Sequence, residues 1–323
     1  MVRAVRAVLF AAIITALFAG CTGDDASQPA PPAAAQDPGT DVQGPWRLDA
    51  PVLSVGRSWT YELGGFWDAT PSLTIVVARA DANGYLLAAA TRDELVNEVA
   101  WDVPYLGEFT PAFAPLGAHD DAALLAFPIE ENATWNYFRI PLAARPAQVE
   151  VLGRLVPGVR IEGATDRVTM LIEYAPEVGF LTRYEQRHGE AIAWSMRLTA
   201  TGNTSDWAWF ERGNEVYTGG LADSPGAWTP SPDGIDSDPP AELVVVDEDD
   251  EVLLWWVGST GSRGVVAPPT GQPYTLDGRG EPNFEIRRYE ATPGSWRLTG
   301  TPGDANGWAY LQGHAVRWVD SEG

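Results

Sequence analysis

Apolar and polar residues alternate with a period of two through much of the chain. The pattern is clearest from 167 to 201. Val168, Met170, Ile172 and Tyr174 fall on one side, against Arg167, Thr169, Leu171 and Glu173 on the other. Past Ala175-Pro176-Glu177, Phe180 and Tyr184 oppose Arg183, Glu185 and Arg187. After a His188-Gly189 turn, Ile192, Trp194, Met196 and Leu198 oppose Ala193, Ser195, Arg197 and Thr199. One mainly apolar and one mainly polar face predict three strands of a half-buried antiparallel meander. Residues 58–63 read as another strand, with Trp59 and Tyr61 on one side. Two apolar runs, 73–79 and 85–91, flank Asn83-Gly84, the strongest short hairpin signal. Residues 91–101 carry helical spacing at Leu95 and Val99, and 102–121 read as a loop broken by Pro and Gly. Beyond 241, runs at 242–247, 251–257, 284–289, 295–299, 307–311 and 315–319 have the close spacing of a small sandwich.

Other segments break this rhythm. Residues 1–21 open with Arg3 and Arg6, run uncharged over 7–18 and end in small residues before Cys21. That is the pattern of an export signal, too short to persist as a membrane span. Residues 22–45 hold five prolines and one large apolar residue, Val42, which predicts a disordered tether. Residues 203–240 are rich in Gly, Pro, Asp and Trp and read as a linker. The expected fold class is all-β in two domains: a curved antiparallel sheet or half-barrel over 46–202, then a small β-sandwich over 241–323.

Charge narrows the partners. The chain has 44 acidic residues against 21 basic ones, all arginine, for a net −23. Loss of Arg3 and Arg6 with the signal leaves 19 against 44, or −25. Such a surface repels nucleic acid and anionic headgroups, so neither is an expected partner. The single cysteine, Cys21, excludes intramolecular disulfides and Cys-rich metal sites.

Three parts of the chain resemble known classes. Leu17-Phe18-Ala19-Gly20-Cys21 resembles the lipobox of bacterial and archaeal lipoproteins, with Phe18 where a branched aliphatic is usual. The resemblance implies lipid attachment at Cys21 and an extracytoplasmic, membrane-anchored location. Residues 124–135, 149–163 and 173–185 are similar in order and spacing to exported lipoproteins related to the carrier LolA. Their shared turn reads Tyr174-Ala175-Pro176-Glu177-Val178-Gly179 here. That likeness implies a curved sheet able to shelter an acyl chain. Residues 284–298 resemble the late strands of prepeptidase-type or immunoglobulin-like β-sandwiches.

Candidate chemistry is sparse. His119, His188 and His314 read as surface residues with no converging ligand set, and no G-x-S-x-G elbow occurs. Asp233, Asp236 and Asp238 are weak calcium candidates, and no cofactor is expected. The acidic run 247–251 reads as a solvated hairpin turn. Trp59, Trp135, Trp194, Trp296 and Trp318 read as core, leaving Trp207, Trp209, Trp228 and one of Trp255 and Trp256 as candidates for an exposed sugar platform. Asn132 and Asn203 head glycosylation sequons in expected loops. The leading expectation is a non-catalytic binding or structural module of the envelope. It would hold an apolar ligand or a surface protein. The alternatives are a hydrolase with paired carboxylates and a carbohydrate-binding protein.

Overall fold

The structure is a computed structural model that describes residues 46–65, 72–97, 105–116, 123–137, 139–166, 168–221, 241–245, 251–258, 261–277, 283–290, 292–301 and 308–321. The expectations for Cys21, the signal and the tether fall outside these residues, as do His119, Trp228, Asp233, Asp236, Asp238 and residues 247–250 of the acidic run.

The described chain is all-β apart from one short helix. Its first half holds β1 (Arg47–Leu48), β2 (Arg57–Gly65), β3 (Ser72–Asp81), β4 (Gly84–Ala89), helix α1 (Arg92–Asn97), β5 (Gly107–Phe109), β6 (Ile129–Glu130) and β7 (Thr134–Tyr137). Then come β8 (Ile140–Val151), β9 (Arg154–Ala164), β10 (Val168–Ala175), β11 (Phe180–His188), β12 (Ala191–Asn203) and β13 (Ala208–Leu221). The last part holds β14 (Ala241–Val245), β15 (Glu251–Gly258), β16 (Arg263–Ala267), β17 (Tyr274–Asp277), β18 (Asn283–Glu290), β19 (Gly294–Thr301) and β20 (Trp308–Asp320).

One long sheet runs β18-β15-β20-β13-β4-β3-β2-β12-β11-β10-β9-β8-β7, with β5 added beside β4. Its two halves join through a single residue pair, Ala208 opposite Ala89. A second sheet, β14-β19-β16-β17, contributes Leu243, Val266, Trp296 and Leu298 to a core shared with Val252, Leu254, Trp256, Leu311 and Ala315 of β15 and β20. That face-to-face packing is a sandwich.

The larger core lies on the apolar face of the meander. Trp59 and Phe180 stack at 4.7 Å, the Trp59 Nε1–H donates to the Val178 carbonyl at 3.1 Å, and the Tyr61 hydroxyl donates to the Leu181 carbonyl at 2.8 Å. These bonds satisfy the polar tips of large buried rings. The expected turn from Tyr174 to Gly179 joins β10 to β11, with Gly179 at φ 70°. The Asn83-Gly84 hairpin also forms; Gly84 has φ 133°, and a Cβ there would meet the Phe109 carbonyl oxygen at 1.9 Å.

Several expectations change. Within the expected 203–240 linker, Ala208–Leu221 is a 14-residue strand paired with β20, and 222–240 lies outside the described residues. Its glycines and acids masked the alternation that buries Ala208 and Phe210. The last two expected strands are one, β20, because Gly313 continues the strand where Leu243, Leu254 and Leu298 approach too closely for a Cβ. His314 is therefore buried inside that strand, in hydrogen-bond contact with Gln312, instead of lying at the surface. The 102–121 loop includes β5, held to β4 while Phe109 stacks on Phe113 at 5.0 Å. Helix α1 starts at Thr91, whose hydroxyl accepts the Glu94 N–H at 3.1 Å. Burial raises the Glu94 carboxyl above its ordinary pKa, against the hydrogen bonds it accepts from the backbone. Trp135, Trp194 and Trp318, expected in the core, are only partly buried.

Candidate functional site

The other face of the meander is polar, and the register lines its charges up. Arg145, Arg160, Glu173, Arg183, Arg197 and Glu62 stand directly opposite one another across β8, β9, β10, β11, β12 and β2. In an antiparallel ladder, opposed residues share a face. The neighbouring row runs Glu162, Leu171, Glu185, Ser195. These rows interlock through ion pairs: Arg145 with Glu162 at 3.1 Å, Arg160 with Glu173 at 2.8 Å, and Glu185 with both Arg183 at 2.7 Å and Arg187 at 2.5 Å.

Arg197 of β12 also reaches Glu150 of β8 at 2.8 Å, although three strands separate them in the sheet. The β8 end of the sheet therefore curls back over this face. On the side of the β8–β9 hairpin that carries Arg145 and Arg160, opposite to Glu150, Val149, Val151 and Val156 are buried. The curl explains why a face with alternating charges is not simply wet. The side chains of Glu173 and Glu185 are only 6% and 10% exposed.

At the far end of this face lies a cleft of about 480 Å³ lined by Pro141, Glu162, Thr169, Leu171, Glu185 and Arg187, among others. Pro141, Ala164 and Leu171 give it an apolar patch, while the charged groups and the Thr169 hydroxyl supply polar contacts. Glu162 and Glu185 flank Leu171 two strand spacings apart, about 9–10 Å at the backbone. Burial pushes the Glu185 carboxyl up, but hydrogen bonds and charge from Arg183 and Arg187 outweigh it and hold the pKa below the ordinary value. Glu185 is thus a fixed anion with two guanidiniums turned toward it.

The residues singled out from the sequence lie elsewhere. Trp209 is half-buried, stacked on Phe210 at 5.3 Å, with its ring against Gly107, so it is packed on the core and not a free platform. Trp207 is half-buried beside the C-terminal strand, where its carbonyl accepts the Ser321 N–H at 3.1 Å. Asn132 is exposed in a turn at φ 60°. Asn203 is not in a loop but is the exposed last residue of β12, opposite Arg57. Among the described residues, no three His, Cys, Asp or Glu side chains gather as a metal site. The ladder escaped notice because alternating Arg and Glu read as a solvated face. The available signal was the continuation of both charged rows at 145, 160 and 162, on the two strands that precede β10.

No family model matches the chain, and no curated protein matches it. Among solved structures, the chain has a similarity to PNGF-II, at 6% identity over 82% of this chain and 68% of that one, with a TM-score of 0.24. A likeness at that score carries no argument.

Proposed function

We propose that the chain is a lipid-anchored module of the cell surface that binds its ligand without transforming it, and that the cleft over Leu171 is the binding site. The ligand class that suits it is a small hydroxyl-rich one, a saccharide. Pro141, Ala164 and Leu171 offer a surface for C–H faces, and Glu185, Arg187, Glu162 and Thr169 offer hydrogen bonds to hydroxyls. The carrying observation is that each carboxylate of the cleft has an arginine against it, Arg183 and Arg187 at Glu185 and Arg145 at Glu162. Glycoside hydrolysis needs one of two carboxyls kept protonated near neutrality to act as general acid. A guanidinium beside a carboxyl favours the opposite state. The apolar ligand first expected would bury the polar groups of Glu162, Thr169, Glu185 and Arg187, four of the nine lining residues, without using them.

The test is a glycan-array screen with the full chain, followed by titration of any hit into Leu171→Glu and Arg187→Ala variants. Binding that weakens at least about tenfold in both is expected, by loss of shape and of a charge-assisted hydrogen bond. Absence of any saccharide binding sinks the ligand class. Release of cleaved sugar that stops in a Glu185→Gln variant sinks the non-catalytic reading in favour of a hydrolase.

A further inference from the structure

At one end of the long sheet β2, β4, β9 and β11 begin and β3, β8, β10 and β12 finish. Eight large hydrophobic residues are exposed among the described ones, and four of them lie at this end: Val52 at 91%, Leu155 at 72%, Val55 at 59% and Leu152 at 47%. They come from two distant stretches brought together by the turn at Glu177. Arg154 donates to the Glu177 carboxylate at 3.1 Å, and Arg57 donates to the Glu177 carbonyl at 3.4 Å and to the Val178 carbonyl. A Cβ on Gly179 would sit 3.6 Å from Leu53. Clustered exposed apolar side chains with arginines beside them are the composition of an interfacial surface, where stems enter the headgroup layer and guanidiniums stay wet.

We infer that this end of the sheet rests on the lipid bilayer that holds Cys21. The inference depends on the anchored reading above. Trp46 is six residues before Val52, and segment 22–45, whose composition predicts a tether, spans about 25–30 Å as a random coil. A chain leashed at that length sees the membrane at an effective concentration near the millimolar range, so a patch too small to bind alone suffices. The occupant is a neutral-headgroup surface, because the chain's net −23 opposes anionic lipid. The cleft residues Ala164, Thr169 and Arg187 lie at the opposite end of the same strands, so docking this way turns the cleft outward.

Cys21 is the only cysteine, and the anchored reading consumes its thiol, so a new cysteine labels selectively. Leu155→Cys and, at the other end, Ile192→Cys carry an environment-sensitive fluorophore on the chain purified from membranes. Each is reconstituted into phosphatidylcholine vesicles with brominated acyl chains. Co-flotation with quenching at 155 and none at 192 is expected, and a Val52→Ser/Val55→Ser background lowers the quenching at 155 at least about twofold. Co-flotation with both probes in water overturns the docking and leaves the anchor standing. Failure to float overturns both. A probe at 155 that dries without bromine quenching assigns the patch to a second copy of the chain and overturns the bilayer assignment.

Discussion

Replacing Arg160 by leucine will cost far more than replacing its partner Glu173 by glutamine. Arg160 Nε and one terminal nitrogen donate to the same Glu173 oxygen, at 3.1 and 2.8 Å. The two ends of the pair are unequally wet: 32% of the Arg160 side chain is exposed but only 6% of Glu173. Arg160→Leu leaves a sealed carboxylate whose remaining charged neighbour, Arg183 opposite it, is engaged by Glu185. Breaking a buried pair in this way costs about 3–5 kcal/mol, and the partial exposure of the arginine places this one near the lower figure. For a chain of this size, about 3 kcal/mol lowers Tm by roughly 6–12 °C. Glu173→Gln keeps an acceptor facing the guanidinium and leaves only a group that already reaches water, at about 1 kcal/mol. Thermal and urea unfolding of the full chain at pH 7 measure both. Equal losses for the two variants would refute the claim that Glu173 is sealed.

Glu185 makes stability depend on pH. Its folded-state pKa is lowered, so its stabilisation is present above the ordinary carboxylate range of about 4.3 and is lost as pH falls through the lowered value. Stability of the unaltered chain should fall more steeply in acid than that of Glu185→Gln, and parallel pH profiles would remove the arginine clamp as cause. Gly84→Ala should cost about 3 kcal/mol or more in urea unfolding, because the new Cβ meets backbone oxygen at 1.9 Å and φ is 133°. Arg92→Ala removes a cation–π contact with Trp318 at 5.2 Å and an ion pair with Asp320 at 2.5 Å. Since 45% of that arginine is in water, the loss should be about 0.5–1 kcal/mol, and a loss beyond 2 would mean that the helix depends on it.

The meander was legible because period-two alternation and turn residues are local properties. Val168 to Leu198 carry both, and the strands fall where the pattern puts them. What was not legible required knowing which strand lies beside which. β13 pairs with β20 across about a hundred residues, so nothing near Ala208 announced a partner and its Gly-rich sequence read as a linker. Gly313 looked like a break because a glycine in a strand has no local justification; its reason is three leucines from other strands. The cleft failed for the same cause. Glu185 beside Arg183 and Arg187 is a commonplace polar face until β8 curls over it, and the curl shows only in the Arg197–Glu150 contact.

That curl also gives a reason for where this acidic chain places its scarce cations. Five of the 21 arginines, at 145, 160, 183, 187 and 197, pair on one face with Glu150, Glu162, Glu173 and Glu185. Carboxylates on the open surface are stabilised by water and need no partner. Those at Glu173 and Glu185 have little water, and an unpaired charge there costs several kcal/mol. In a chain at −23 a cation spent on the open surface contributes little, whereas one spent under the hairpin lets the sheet curl at all. The surplus of acid and the concentration of arginine on one face are therefore two sides of the same constraint: the curvature that forms the cleft exists only where each desolvated carboxylate has a guanidinium within hydrogen-bond reach.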